Sequence, residues 1–338
     1  MSDTPAAWLT DDRREWWATV EEWLRGLVAD EIGEPVVSLE SVKERPWGTV
    51  IRVRLPRRAF YFKAVGPRGR HELPIVASLS KAWPRLVPVV IAIDEARGWI
   101  VMADHGTAMN EILDGRGQVD AVASLLPMYA EMQRSTTNLV DTWLEAGTPT
   151  RTLRHLPAQL DALLAGASTS GPVPIDDEER QGYRELLGVF DEVCDSLATT
   201  AVVDALDHSD VHGTNVLVGD NGPRLIDWGD ACISHPFTSL LATYYLVVPL
   251  LPRAERAAAT LRLRDIYLEP WGSVADNREA FALATWVGYV GRAISNDQQS
   301  VGASPRDLDD MQGEIVTMLR TWKAKAALLR QPDAILLG

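Results

Sequence analysis

The chain has 338 residues, of which 46% are hydrophobic and 24% charged, a composition that supports a soluble protein of two lobes or domains and excludes a disordered or fibrous one. Its formal net charge of −14 gives no diffuse attraction to phosphate backbones or anionic lipid. Neither a nucleic acid nor a membrane is therefore expected as its main partner, and a cationic small molecule is favoured. Cys194 and Cys232 are too few for a disulfide framework, the N-terminal segment has no apolar h-region, and no apolar run is long enough to cross a bilayer, so a cytoplasmic setting is expected.

Residues 8–29 carry Trp16, Val20, Trp23, Leu24 and Leu27 at helical spacing, behind a start signal at Thr10-Asp11-Asp12. They predict an amphipathic helix whose tryptophans serve a core. From 36 to 65 the period shortens, and VVSLESVKE, TVIRVRL and AFYFKAV predict three strands of an antiparallel meander. A helix follows over 71–82 with Pro74 in its first turn, then strands over 87–94 and 98–104 around a turn at Glu95–Gly98. After His105-Gly106 the pattern is mainly helical, near 118–145, 155–166, 176–198, 238–248, 253–265, 276–295 and 304–329, with a turn-rich linker at Gly166–Pro174. The expected fold class is α+β and bilobal: a small antiparallel-sheet lobe over 1–104, a large helical lobe over 105–338, and a ligand cleft between them.

One β interruption breaks the helical half. Asn215-Val216-Leu217-Val218 and Pro223-Arg224-Leu225-Ile226-Asp227 flank Gly219-Asp220-Asn221-Gly222, a strong hairpin signal. A symmetric loop sets Val218 opposite Pro223 and Asn215 opposite Ile226, so Asn215 and Asp227 lie diagonally adjacent at the open end. Both are oxygen ligands of the kind Mg²⁺ takes. Asp210 stands five residues before Asn215, a carboxylate placed to accept a proton from a substrate hydroxyl. Phosphoryl transfer needs these parts together with a cation on the nucleotide phosphates. Lys63, in the third strand of the meander, is the candidate cation, and Glu72, opening the next helix, is the carboxylate to hold it.

His208-Ser209-Asp210-Val211-His212-Gly213-Thr214-Asn215 and Ile226-Asp227-Trp228-Gly229-Asp230 resemble the aminoglycoside phosphotransferase family. That family is a branch of the protein-kinase-like fold which also includes choline and sugar kinases. Its catalytic loop reads His-Gly-Asp-x-His-x-x-Asn and its metal motif Ile-Asp-Trp/Phe; the resemblance spans roughly residues 36–245. It implies that Asp210 is the catalytic aspartate, that Asn215 and Asp227 hold Mg²⁺, and that Lys63 and Glu72 are the strand lysine and its helix partner. It also implies that Trp99–Gly106 is a hinge where the base of ATP or GTP meets the backbone of Met102, Ala103 and Asp104, and that Gly48 and Thr49 belong to the phosphate loop. Two positions depart from the pattern. Ser209 replaces a glycine that often holds a backbone angle serine resists. The phosphate loop, Glu44-Arg45-Pro46-Trp47-Gly48-Thr49, has a single glycine.

His208 and His212 have the spacing of two zinc ligands, but no third ligand set accompanies them, and His208 is read as a brace for the loop. Asp230 and His235 either line the acceptor pocket or cap the next helix. Trp271, Trp286 and Tyr289 either pack in the core or flank the acceptor. The resulting expectation is Mg²⁺-dependent transfer of the γ-phosphoryl group of ATP or GTP to a hydroxyl of an aminoglycoside, an amino sugar or a related antibiotic or metabolite. The alternative is a degenerate relative that binds nucleotide or ligand without turnover. A protein-directed kinase is disfavoured because no Ala-Pro-Glu segment follows Asp227.

Overall fold

The computed structural model describes residues 6–168, 171–300 and 303–337. The five strands form where the alternation places them: β1 (Ser38–Arg45), β2 (Gly48–Arg54), β3 (Ala59–Val65), β4 (Val90–Asp94) and β5 (Trp99–Ala103). Their order is β1-β2-β3-β5-β4, and every neighbouring pair is antiparallel. The two-residue period divides the sheet. Ile51, Val53, Phe60, Phe62 and Val101 face outward into one apolar cluster, while Val65 and Ile100 join the larger core shared with the helical lobe.

Helix α1 (Arg13–Glu31) lies over the outer face and buries Val20, Leu24 and Val28. Trp23 packs 5.4 Å from Trp99 and 6.1 Å from Phe62, centroid to centroid, so the tryptophan stripe is core. Burying a side chain such as Leu24 contributes roughly 1.5–3 kcal/mol. The helix begins at Arg13, directly after the start signal at Thr10–Asp12 and later than residue 8, because the chain first makes a 3₁₀ turn at Ala7–Leu9. That turn buries Trp8, whose Nε1 donates to the Arg45 carbonyl at 2.9 Å. On the other side of the sheet, α2 (Glu72–Ala82) turns Leu73, Ile75, Val76 and Leu79 into the large core, with Pro74 in its first turn.

Short strands punctuate the helical half: β6 (Thr107–Ala108), β7 (Thr150–Arg151), β8 (Ala205–Asp207), β9 (Val216–Gly219), β10 (Gly222–Leu225) and β11 (Cys232–Ser234). They form two three-stranded sheets, β10-β9-β6 and β7-β11-β8. The β9–β10 hairpin has the expected register: Val218 faces Pro223, and Ile226 N–H donates to the Asn215 carbonyl at 3.0 Å. Gly106, at φ +117°, lets the chain leaving β5 cross β9; a Cβ there would sit 2.2 Å from the Val218 carbonyl oxygen.

Three helical segments differ from the periodicity. The stretch 118–145 is a helix Gly115–Ser135 followed by Val140–Glu145, broken at Thr136, whose Oγ1 donates back to the Met132 carbonyl at 2.8 Å. The stretch 176–198 divides into Asp177–Arg184 and Leu187–Ala198. The segment 276–295 extends to Val274–Gln299, capped by Ser273, and packs against Pro305–Ala326. Residues 169 and 170 of the predicted linker lie outside the described residues.

Candidate active site

The loop between β8 and β9 is fixed from below. His208 is fully buried, its Nε2 2.9 Å from the Ile226 carbonyl and its Nδ1 3.3 Å from Asp210 N–H. Those partners assign a neutral ring protonated on Nε2, in keeping with burial, which pushes its pKa down. His208 is thus a brace, with Trp228 edge-on at 4.7 Å. Sequence reasoning missed Asp207. Its carboxylate accepts from Ser209 N–H (2.8 Å), Tyr129 Oη (3.1 Å), Ser234 Oγ (3.2 Å) and Thr238 Oγ1 (2.8 Å), anchoring the loop to three other segments. Ser209 has φ +62°, a left-handed conformation that glycine adopts without strain. For a residue with a Cβ this costs about 1–2 kcal/mol, offset here by the bond to Asp207 and by Ser209 Oγ lying 3.2 Å from Cys232 Sγ.

Asp210 has two unlike oxygens. Oδ2 accepts Asn215 Nδ2 at 2.8 Å and lies 3.1 Å from His212 Nε2. Oδ1 lies 3.2 Å from Arg292 Nη2 but, among the described residues, accepts no aligned hydrogen bond. Burial pushes this carboxyl up, but Arg292, with help from His212 and His208, more than offsets it and holds Asp210 below the usual carboxylate range. Asn215 Nδ2 also donates to the Asp210 carbonyl at 3.0 Å, and Asn215 Oδ1 accepts the Thr214 hydroxyl at 3.3 Å, its one hydrogen bond among the described residues.

Across the hairpin, Asp227 sits at φ +64° just past β10. Lys63, on β3, lies 2.6 Å from Asp227 Oδ1 and 2.6 Å from Glu72 Oε2. Glu72 also accepts Trp228 N–H at 3.2 Å, so its carboxylate serves the cleft and does not cap its own helix. Burial works against the Lys63 charge, yet the two carboxylates outweigh it and raise its pKa. Asp227 resists its own burial because Lys63, then Lys43, hold it far below the usual range. Asn215 Oδ1 and the Asp227 carboxylate are hard oxygen donors, a set that fits Mg²⁺, whose remaining ligands are commonly phosphate and water. Among the described residues no group of three or more His, Cys, Asp or Glu side chains is placed to hold a metal ion.

Much of the donor-side backbone is committed to the sheet. Glu44–Thr49 is a two-residue hairpin turn at Pro46-Trp47 and not an open phosphate loop. Gly48 pairs with Val65 inside the sheet. Thr49 is fully buried and donates its hydroxyl to the Lys43 carbonyl at 3.0 Å, so it offers nothing to a phosphate. In the hinge, Met102 is paired within the sheet to Tyr61 and Val90, and Ala103 N–H is taken by the Val89 carbonyl at 2.9 Å. Asp104, the first residue past β5, accepts Gly106 N–H at 3.0 Å through its side chain.

On the acceptor side, Asp230 caps no helix. Its Oδ2 lies 3.0 Å from Arg292 Nη1, and its Oδ1 accepts from Gln299 Nε2. Burial, then the neighbouring Asp210 charge, push its pKa up to about 6 despite Arg292. A cavity of about 30 Å³ beside Arg292 is lined by Arg151, Ser209, Cys232, Ser234 and Ser295. Three other expected acceptor contacts belong to packing. His235 is 1% exposed, and its Nδ1 accepts Phe237 N–H at 3.3 Å to cap a 3₁₀ turn. Trp286 is fully buried, stacked 5.4 Å from Trp322 with Nε1 donating to the Trp322 carbonyl at 2.8 Å. Tyr289 is a buried member of the same core, its pKa pushed up by burial to about 12. Trp271 is half-buried against the core, edge-on to Phe237 at 5.4 Å.

Sheet lobe, helical lobe and the loop between β8 and β9 define a bilobal kinase-like protein. No family model matches the sequence, and no curated protein matches it. Solved structures do match. A choline/ethanolamine kinase family protein from Mesorhizobium loti superposes with a TM-score of 0.62 over 94% of this chain and 99% of that one, at 16% identity. The GDP complex of an aminoglycoside 2′-phosphotransferase IIIa variant gives 0.57 over 90% and 98%, at 17% identity. An aminoglycoside phosphotransferase variant in ternary complex with AMP-PNP and hygromycin B gives 0.51 over 88% and 97%, at 15% identity. The chain thus has the protein-kinase-like architecture common to choline kinases and aminoglycoside phosphotransferases.

Proposed function

We propose that this chain is a small-molecule kinase that moves the γ-phosphoryl group of ATP or GTP to a hydroxyl of a small acceptor, an aminoglycoside, amino sugar or related metabolite. The observation that carries the proposal is the asymmetry of Asp210: Oδ2 clamped by Asn215 and His212, Oδ1 ion-paired with Arg292 at 3.2 Å but accepting no aligned hydrogen bond among the described residues. The acceptor oxygen bonds to the γ-phosphorus while the bond from that phosphorus to the β,γ-bridging oxygen breaks. The acceptor proton passes to Asp210 Oδ1, and the nucleoside diphosphate leaves with the bond's electron pair. Lys63, oriented by Glu72 and Asp227, binds phosphate oxygens. Asn215 and Asp227 would hold Mg²⁺, which neutralises phosphate charge when bound. Most of the rate gain would come from positioning and fixed charge.

In this reading the donor lies against residues 1–104 and the acceptor against residues 105–338. With it we keep the cytoplasmic setting expected from the two cysteines, and the absence of membrane and nucleic-acid partners expected from the net charge of −14. Among the described residues no helix is long and apolar enough to cross a membrane. The test is a nucleotide-consumption screen over aminoglycosides, amino sugars, neutral sugars, choline and nucleosides, run with and without Mg²⁺. Acceptor-dependent release of diphosphate supports the proposal. Nucleotide binding without turnover on any acceptor would instead favour the degenerate binding protein.

A further inference from the structure

The turn between β1 and β2 raises a problem for any triphosphate. Pro46 has no N–H to donate, and the Trp47 carbonyl is tied to Gly66 N–H at 2.9 Å, which closes the turn down on the sheet. Few backbone donors remain there to cradle phosphate. Resident charge is also unfavourable: Asp210, Asp227, Asp230 and Glu72 share the buried cations Lys63 and Arg292.

The strand itself supplies a remedy. Ser41 pairs with Ile51 and Lys43 with Val50, so Val42 is an extra residue, a β-bulge. Regular pairing would set Val42 opposite Val50 and turn Lys43 to the outer face of the sheet. The bulge moves Lys43 onto the face of Val50, which is itself opposite Lys63 on β3. Lys43, Val50 and Lys63 then form a row across three strands on the cleft face. Both ammonium groups end on one carboxylate, Lys63 at 2.6 Å from Asp227 Oδ1 and Lys43 at 3.5 Å from Oδ2. The buried Thr49 hydroxyl, bonded to the Lys43 carbonyl, fixes the bulge from behind. The two lysines differ in freedom: the Lys63 side chain is 11% exposed and shared between two carboxylates, whereas the Lys43 side chain is 46% exposed with one long contact.

We infer that Lys43 is a second phosphate-binding cation, which clamps the triphosphate of the nucleotide in place of the N–H groups of a glycine-rich loop. The inference rests on the phosphotransferase reading and adds the residue that grips the donor. Its test is calorimetric titration of the wild type, Lys43→Ala and Lys43→Arg with ATP, ADP and adenosine, in Mg²⁺ at two salt concentrations. Lys43→Ala should weaken ATP roughly ten-fold, weaken ADP less, and leave adenosine unchanged, with the ATP deficit shrinking at high salt. Lys43→Arg should recover most of the loss. Because Lys43 is half-exposed, both variants should melt within about 1 °C of the wild type. Unchanged ATP affinity in Lys43→Ala overturns the inference, as does an equal loss for ATP and adenosine, which would make the lysine merely structural. If the wild type binds no nucleotide at all, the phosphotransferase reading falls and takes this one with it.

Discussion

The two halves of the cleft are built on one plan, a buried cation between two carboxylates. On the donor side Lys63 bridges Glu72 and Asp227; on the acceptor side Arg292 bridges Asp210 and Asp230. They differ in how the chain brings the parts together. Lys63 and Glu72 are nine residues apart, on a strand and the helix that follows it. Arg292 is 62 residues from Asp230, in a helix that carries no motif. In the donor half the Lys63–Glu72 contact is set by local connectivity, which a sequence states openly, and only Asp227 comes from afar, 164 residues from Lys63. The acceptor half depends on how the helix Val274–Gln299 docks, which no pattern of spacing states. Removing either cation strands two carboxylates, at a cost below the roughly 3–5 kcal/mol of breaking a fully buried pair, because Asp227 keeps 32% of its side-chain surface exposed and Asp210 and Asp230 are part-buried.

The sharpest way to break the comparison is at Asp210, whose Oδ2 is bonded to Asn215 and whose Oδ1 faces Arg292. Asp210→Asn keeps the shape and the nucleotide site but cannot take the acceptor proton. Turnover should fall roughly 10²–10⁴-fold, with nucleotide affinity measured by titration unchanged. Near-wild-type turnover with a verified acceptor would remove Asp210 from its role. A smaller loss is expected from Asp227→Asn, chosen because asparagine tolerates the left-handed backbone at φ +64°. The Mg²⁺-dependent part of nucleotide affinity should drop by at least the roughly 10–100-fold seen when a metal site loses supporting contacts. Equal Mg²⁺ titrations of variant and wild type would contradict the pairing of Asn215 with Asp227.

Much of this was legible before any coordinates. The five strands, the hairpin register that sets Asn215 against Ile226, and the Lys63–Glu72 contact all follow from periodicity, turn chemistry and chain order. The expected cost of Ser209 is visible as its positive φ. What was not legible is tertiary. Nothing in the spacing says that Asp207 gathers four donors, or that Trp286 and Tyr289 point into the core and not toward the acceptor. Periodicity shows that a helix has an apolar face, but not which of its polar residues another helix will trap. The bulge at Val42 was hidden for a related reason: a one-residue slip in pairing leaves the alternation of a short polar strand almost unchanged.

Arg292 allows the comparison to be sharpened by pH. Asp210 acts as a base only when ionised, and Arg292 is the first of the charges that hold its pKa down against burial. Activity should therefore persist in the wild type to low pH and be lost as pH falls through that depressed value. In Arg292→Gln the depression is relieved, so the acid limb of kcat/KM should move to higher pH. Asp230, already raised to about 6, should protonate more readily still, which relieves part of the stranded charge. Arg292→Lys should return the limb most of the way. A limb that stays in place in Arg292→Gln would mean that the contacts to Asn215 and His212 hold Asp210 ionised without Arg292.

The smallest effect concerns the acceptor's charge. The chain carries 47 acidic against 33 basic residues, and Asp230 follows Asp227 closely, which on sequence grounds makes an acidic wall that would favour an ammonium group. The wall is already occupied. Both oxygens of Asp230 are engaged, by Arg292 and by Gln299, and Arg151 lines the same cavity. Charge elsewhere on the surface is screened beyond about 8 Å at physiological ionic strength and offers little discrimination inside the cleft. An amino sugar and its hydroxyl counterpart should therefore differ by less than about three-fold in KM for the wild type, at low and high salt alike. In Arg292→Gln, where the carboxylates are uncovered, the ammonium-bearing acceptor should gain at low salt and lose that gain as salt rises. A strong low-salt preference for the ammonium in the wild type would mean that acidic groups other than Asp210 and Asp230 face the acceptor. The acceptor half would then owe its selectivity to unpaired carboxylates, unlike the closed Lys63 bridge on the donor side.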